Sequence, residues 1–520
     1  MNKKNIVWAD DEISQLRPHI MFLEKKGYNI IPVNSGEDAI EKCEEESVDL
    51  LLVDEMMTGL DGLSTIKIIK KRCPDIPIIM ITKNEEEWLM DEAIGAHIAN
   101  YLTKPVNPSQ VLIACKNILE NKKIITDKAL KDFIEYFNEL SNNNNEFENI
   151  NDWFDLYNNL CSWEIRLDSI DDKNILNMLD SQKQILNQKF NKFILDNYKS
   201  WIDSSHSNES PVLSHNVFES TLKPILSQNK KLIFIIIDCL RLDQWKVISE
   251  ILYPDFNIKE GYHVSIIPSA TPFARNSIFS GLLPNDLKLK YPEIWKEMFY
   301  GNKLNGFEEQ LFNNLLMTYK MNNLSHKYVK ISDLENGKKF LNKISDYENT
   351  DILSVVVNFV DILGHSRSES KVLSELIPND AAYRQAIFNW FNNSWLLEAI
   401  NIIKEWDNTN IIITSDHGNT NINKPLMVKG DQATSQGIRY KYGRNLRVDT
   451  KHALKITNPE EYNLPMFDVN TEYIVAKDKS YFVYRNEYHK YVNLYKNTFQ
   501  HGGISLDEML VPLIQLDPKK

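Results

Sequence analysis

The sequence predicts an α/β protein in three parts: a doubly wound N-terminal domain on a five-stranded parallel sheet, a helical middle domain, and a larger C-terminal α/β domain. Three observations carry this reading. Short β-branched runs alternate with helical stretches up to residue 121. Between residues 122 and 210 the apolar spacing is helical, and from Lys231 the buried-strand runs return. In both α/β parts these runs stop at residues that carry chemistry, where the carboxyl ends of strands bind ligands.

The N-terminal strands are Ile6–Ala9 ending at Asp10-Asp11, Tyr28–Val33, Asp49–Val53 ending at Asp54, Ile76–Ile81 ending at Thr82, and Ala99–Leu102 ending at Thr103-Lys104-Pro105. Helical stretches such as Gly36 to Glu46, with Ala39, Ile40 and Cys43 at helical spacing, lie between them. Asp10, Asp11, Asp54, Thr82 and Lys104 thus gather at one edge. Three carboxylates in one pocket repel and call for a hard cation such as Mg²⁺. Lys104 supplies a point charge for a phosphoryl oxygen, Thr82 a hydroxyl, and Asp54 a nucleophile.

At these residues the stretch resembles response-regulator receiver domains. The resemblance implies phosphorylation of Asp54 by a sensor histidine kinase, with Mg²⁺ held by Asp11, Asp54 and the carbonyl of Met56, and with Asp10 beside them. It implies a switch pair at Thr82 and Tyr101, and a phosphoryl contact from Lys104, whose peptide to Pro105 is usually cis in the family. Thr58 stands where receivers usually carry proline, which loosens that loop and leaves every charged role filled.

In the middle, Ile124, Ile125, Leu130, Phe133, Ile134, Phe137 and Leu140 mark one amphipathic helix, broken by the polar run from Asn142 to Asn145. Trp153 to Leu167 and Ile175 to Trp201 continue the helical stripe, with aromatics read as core packing. The polar segment Ser204 to Pro211 closes this part, and His206 within it is given no role.

The third part is organised around Ile411-Ile412-Ile413-Thr414-Ser415-Asp416-His417-Gly418, a strand suited to a parallel sheet that ends directly in a carboxylate and an imidazole. Leu232–Ile237 ends in Asp238, His263–Pro268 leads to Thr271, and Leu353–Val360 ends in Asp361 with His365 four residues on. Phe499-Gln500-His501 precedes a last strand, Met509–Ile514. Together Asp238, Thr271, Asp361, His365, Asp416, His417 and His501 offer three carboxylates and three imidazoles around one hydroxyl. Their mixed oxygen and nitrogen character favours Zn²⁺ or Mn²⁺ over calcium. Two such ions stabilise the entering and leaving oxygens of a displacement at phosphorus, and Thr271 becomes a strong nucleophile as a metal-bound alkoxide.

This set resembles the alkaline phosphatase superfamily, specifically its PglZ branch, on the motifs Asp238-Cys239-Leu240-Arg241, Ala270-Thr271-Pro272, Asp361-Ile362-Leu363-Gly364-His365, Ser415-Asp416-His417-Gly418 and His501-Gly502-Gly503. The resemblance implies one zinc on Asp238, Thr271, Asp416 and His417, and another on Asp361, His365 and His501. The domains expected are therefore 1–121 (receiver), 122–210 (helical linker) and 211–520 (PglZ-like phosphoesterase), with a cap near 419–477.

Arg439-Tyr440-Lys441-Tyr442-Gly443-Arg444 is the most basic run and interleaves aromatics, so Arg439, Lys441 and Arg444, with Arg275 and Asn276, are candidate substrate-binding residues. The expected reaction is hydrolysis of a phosphodiester in a cyclic or linear oligonucleotide, with a phosphomonoester second. A receiver ahead of such a domain resembles PorX-type response regulators. That implies type IX secretion control, contact with a sigma factor or secretion component, and a phosphorylation-dependent homodimer. The alternative is a non-catalytic regulator whose metal-stabilised third domain docks a protein or promoter.

Composition narrows these options. A formal net charge of −13 argues against a general DNA-coating protein. The apolar runs are too short for membrane insertion, the start of the chain lacks a signal-peptide pattern, and five cysteines without metal-like spacing fit a cytoplasmic protein with reduced thiols.

Overall fold

The computed structural model describes residues 3–83, 95, 97–142, 147–168, 170, 172–203, 210–431, 435, 437–486 and 488–519. The expected loop at Asn143–Asn145 and the histidine at position 206 lie outside the described residues. The chain forms two compact units, Met1–Asn142 and Asn143–Lys520.

The first unit is a five-stranded parallel sheet in the order β2-β1-β3-β4-β5, with β1 Asn5–Ala9, β2 Asn29–Val33, β3 Leu50–Asp54, β4 Ile78–Thr82 and β5 Asn100–Thr103. Every residue of β3 and β4 is buried, which is why these runs are continuously apolar rather than alternating. The helices start on side-chain caps: Ser35 accepts from the Asp38 amide, Asp61 from that of Ser64, and Asn107 forms a reciprocal capping box with Gln110. Helix Asn121–Asn142 belongs to this unit.

The second unit is built on a mixed seven-stranded sheet. Its order is β7-β19-β11-β6-β10-β9, with β8 also paired to β19. The strands are β6 Lys231–Ile237, β7 Phe256–Lys259, β8 Tyr262–Val264, β9 His326–Ile331, β10 Ile352–Val357, β11 Thr409–Thr414 and β19 Leu510–Pro518. The central strand β11 is parallel to β6 on one side and antiparallel to β19 on the other, so the parallel sheet expected around it extends to one side only. The register sets up the chemistry. Thr414 pairs with Ile236 and Val357 with Ile237, so Asp416 and Asp238 emerge side by side, next to Asn358.

Two strands are shorter than the sequence suggested. The Leu353–Val360 run splits at Asn358: β10 ends at Val357, and Phe359–Glu369 is a helix with Asp361 in its first turn. Helical spacing then puts Asp361 and His365 on one face, as the Asp-x-x-x-His pattern requires. The His263–Pro268 run leaves the ladder after Val264. The Ile266 amide donates to Ser214 Oγ and the Ile267 amide to the Tyr198 hydroxyl.

Three small sheets follow β11: β12 (Thr420–Ile422) with β18 (Thr498–Gln500), β13 (Lys424–Val428) with β17 (Ser480–Tyr484), and β14-β16-β15 (Tyr440–Gly443, Glu472–Ala476, Ala453–Ile456). Five of their strands fall between Thr420 and Ala476, and the other two, β17 and β18, come from beyond Lys477. The middle segment is divided in the structure. Helices Ile150–Leu167 and Lys173–Asp203 pack within the second unit, where the buried Tyr157 hydroxyl and Lys183 Nζ bond to Asp507, and Asp168, just past the first helix, pairs with Arg384. Among the described residues, no helix is long and apolar enough to cross a membrane.

Candidate metal centres

Three clusters of ligating atoms converge at the strand ends: Asp10, Asp11 and Asp54 in the first unit, and Asp238, Asp416 and His417 beside Asp361, His365 and His501 in the second. All seven residues expected to hold zinc are gathered here, with Thr271 Oγ1 2.9 Å from His417 Nε2. The His417 and His501 rings stack at 4.3 Å, so the two clusters of the second unit share a wall.

Asp238, Asp416 and His417 are buried at strand ends. His417 Nδ1 faces the Gly418 carbonyl at 3.1 Å, and as a donor there it leaves the Nε2 lone pair turned into the site. The Cys239 amide donates to Asp416 Oδ1, and Cys239 adopts a left-handed backbone (φ 69°) to aim it. Burial pushes the Asp238 carboxyl up to about 7, against the pull of Arg275, raises Asp416 likewise and lowers His417. In the neighbouring cluster, His365 Nε2 lies 3.3 Å from both Asp361 Oδ1 and His501 Nε2. Burial would raise Asp361, yet its bond to His365 and the surrounding imidazoles hold it well below the usual carboxylate range. Burial drives His501 well down. This second cluster is open to solvent, with the His365 side chain 44% exposed.

The donor set fits divalent metals. Asp238 Oδ1, Asp416 Oδ2 and His501 Nδ1 are buried and make no hydrogen bond. Leaving such atoms bare costs free energy, so native structures rarely do. Arg275 cannot balance the charge, since its guanidinium already spans Asp238 Oδ2 (2.6 Å), Glu308 Oε1 (2.6 Å) and, at 3.8 Å, Asp416 Oδ2.

In the first unit Lys104 Nζ bridges Asp10 Oδ2 at 3.0 Å and Asp54 Oδ1 at 2.9 Å. Burial pushes Asp54 up to about 6 despite Lys104. Thr82 is buried and its hydroxyl donates to Glu55, Tyr101 is half-buried, and Met56 follows at an exposed position. Lys104-Pro105 is cis.

The candidate substrate-binding residues are placed otherwise than expected. Arg275 is buried against the carboxylates, and Asn276 donates to the Pro272 and Leu304 carbonyls. Arg439 is fully buried in a bidentate pair with Glu508. Lys441 is buried, with Nζ on the Ser435 carbonyl and over the Tyr484 ring. Arg444 is half-exposed on Asp468. The basic run therefore anchors the small sheets from inside. Tyr440 meets Phe273, two residues past Thr271, edge-on at 5.8 Å and lies against Gly502, next to His501. Glu308 and Glu508, which fix Arg275 and Arg439, were missed, since they lie 33 and 69 residues from the arginines they pair with.

Comparison with known proteins finds three successive matches along the chain. A response regulator receiver domain matches residues 6–116, a PorX response regulator linker domain matches 123–202, and a BREX system PglZ alkaline phosphatase-like domain matches 217–516. Among curated relatives, the alkaline phosphatase synthesis transcriptional regulatory protein PhoP of Bacillus subtilis is 36% identical over 126 residues, 24% of this chain and 51% of the relative. The cyclic di-GMP phosphodiesterase response regulator RpfG of Xanthomonas campestris pv. campestris is 34% identical over 121 residues, 22% of this chain and 32% of the relative. The chain spans about half the length, or less, of the curated relatives it matches first. A solved CheY-like receiver from Methanospirillum hungatei is 26% identical and covers 23% of this chain and 97% of its own, with a TM-score of 0.23. Receiver and alkaline phosphatase-like domains are generally metal-dependent, and a receiver implies a phosphorylating sensor kinase. With more than half of its length in the PglZ match and the receiver and linker ahead of it, the chain belongs to the PglZ alkaline phosphatase-like family and has the domain order of a PorX-type response regulator.

Proposed function

We propose that the chain is a response regulator, phosphorylated on Asp54, that controls a two-metal phosphodiesterase acting on short linear or cyclic oligonucleotides. The observation that carries this is Thr271 Oγ1, 2.9 Å from His417 Nε2, at the first turn of helix Thr271–Ser280 where two ligand clusters meet. Zn²⁺ or Mn²⁺ would be held by Asp238, Thr271, Asp416 and His417, and by Asp361, His365 and His501; Mg²⁺ would be held by Asp11, Asp54 and the Met56 carbonyl, with Asp10 alongside. Bound cations supply Lewis acidity that makes a hydroxyl nucleophilic at neutral pH and neutralises phosphoryl oxygens.

The chain's own groups do the rest. His417 fixes the position of Thr271 through its Nε2, 2.9 Å from the hydroxyl, and the helix that begins at Thr271 turns the positive end of its dipole toward incoming negative charge. Substrate arrives over the open His365 side, because Asp238, Asp416 and His417 are closed off by the fold. With Arg439 and Lys441 buried, no long basic track leads away along that run, which favours a short oligonucleotide over a polymer. An output in type IX secretion, through a sigma factor or secretion component, with dimerisation on phosphorylation, belongs to the same proposal and rests on the resemblance to PorX-type regulators.

The test is Thr271→Ala. The variant is expected to keep its bound metal and lose turnover of a chromogenic phosphodiester. Equal turnover in both proteins refutes the nucleophile, and none in either favours a docking role for the third domain.

A further inference from the structure

The segment Ser505–Met509 touches both ligand-bearing loops and both linker helices of the second unit. On one face it meets His417 through Gly418. The Gly418 amide donates to the Glu508 carbonyl at 3.1 Å, and a Cβ on Gly418 would stand 1.9 Å from the Asp507 carbonyl oxygen. Backbone therefore lies directly on backbone there, and no side chain is available to absorb a shift. The same segment reaches His501 through Gly503, whose amide donates to Glu508 Oε1 at 2.8 Å. Arg439 and Ser505 Oγ hold that carboxylate from its other sides.

On its opposite face the segment is gripped by the linker helices. The Tyr157 hydroxyl donates to Asp507 Oδ1 at 2.8 Å, and Lys183 Nζ reaches the same oxygen at 2.8 Å. The Leu506 amide donates to Asn187 Oδ1 at 2.8 Å. Tyr157, Lys183 and Asn187 are all buried, so these bonds are shielded from competing water. Polar groups this far inside cost more than they contribute unless they are fully paired. Their pairing ties the place of each linker helix to the place of the ligand loops.

We propose that helices Ile150–Leu167 and Lys173–Asp203 set the metal-ligand geometry of the C-terminal site through Ser505–Met509. Tyr157, Lys183 and Asn187 are positioning residues for His417 and His501. The inference rests on the two-metal reading and adds how the site is regulated: a displacement of the linker helices moves both imidazoles together. Ligand orientation by outer contacts of this kind governs metal affinity.

The experiment measures zinc affinity of the full chain by competition with a chromogenic chelator, alongside thermal unfolding. Tyr157→Phe and Asn187→Ala are each expected to weaken zinc binding roughly tenfold. Asn187→Asp, which keeps the acceptor for the Leu506 amide, is expected to recover most of that loss. Trp153→Phe serves as the control. Trp153 lies one turn from Tyr157 and packs on Phe190 and Phe193. That variant should lower the melting temperature and bind zinc as the parent does. If Tyr157→Phe and Asn187→Ala lower the melting temperature but leave zinc affinity unchanged, the contacts are structural only and the inference is overturned. Failure of the unsubstituted chain to bind zinc would instead remove the two-metal reading, and the inference with it.

Discussion

In the first unit the strand-end carboxylates share a lysine; in the second they share an arginine that is already committed. Lys104 reaches Asp10 and Asp54 at close to 3 Å, so that site carries its own counter-charge. Arg275 divides itself among Asp238, Asp416 and Glu308, and Asp238 Oδ1 and Asp416 Oδ2 stay bare. The first arrangement meets part of its negative charge from within and suits a reversible switch. The second leaves buried carboxylate oxygens that a cation would satisfy, so on the proposed reading a bound metal would add to the stability of its folded state.

The comparison can be broken in several ways. The largest effect is expected at Asp416→Asn, which removes a charge that no neighbouring group replaces. Phosphodiester turnover should fall on the order of a thousandfold or more, read from kcat/KM. His365→Ala opens only the exposed cluster, and a fall of about a hundredfold should accompany loss of one cation and retention of the other, read by metal analysis. Chelation should act on stability unequally. Stripping metal at saturating chelator should cost the second unit about 3–4 kcal/mol, seen as a lower calorimetric transition, with the receiver transition unmoved.

Acid gives a subtler difference. His326 is held neutral, its pKa lowered from 6.5 to about 4 by burial, with Asn313 and Ser354 on its two ring nitrogens. A base whose folded pKa is depressed contributes stability that is present above 6.5 and lost as pH falls toward 4. The second unit should therefore lose roughly 1–3 kcal/mol across that window, and His326→Gln should flatten the loss in denaturant titrations. The smallest effect is expected at Arg444→Ala. That side chain is half-exposed on Asp468, and KM should change by less than about twofold.

How much of this the sequence disclosed depended on whether the signal was local. Runs such as Leu232–Ile237 and Ile411–Thr414 lead straight to carboxylates and an imidazole, so the gathering of Asp238, Asp416 and His417 could be read from the chain alone. Asp361 was legible as a strand-end carboxylate with His365 four residues on, but the point where the helix begins was not, because Phe359 and Val360 continue the apolar character of β10 past its end. The basic run at Arg439 was misplaced for a different reason. Composition cannot tell a guanidinium facing a groove from one facing a buried glutamate, and the partner, Glu508, lies 69 residues on. Glu308 and the grip of Tyr157 on Asp507 are likewise long-range pairings between residues ordinary in their own surroundings.

The most direct measurement is the transition-metal content of the purified full chain beside that of Asp238→Asn and His365→Ala, taken by elemental analysis after exhaustive dialysis. One ion per C-terminal cluster is predicted, two per chain, with each substitution removing the ion of its own cluster. A folded chain that retains no transition metal, or one whose content neither substitution alters, would contradict the account.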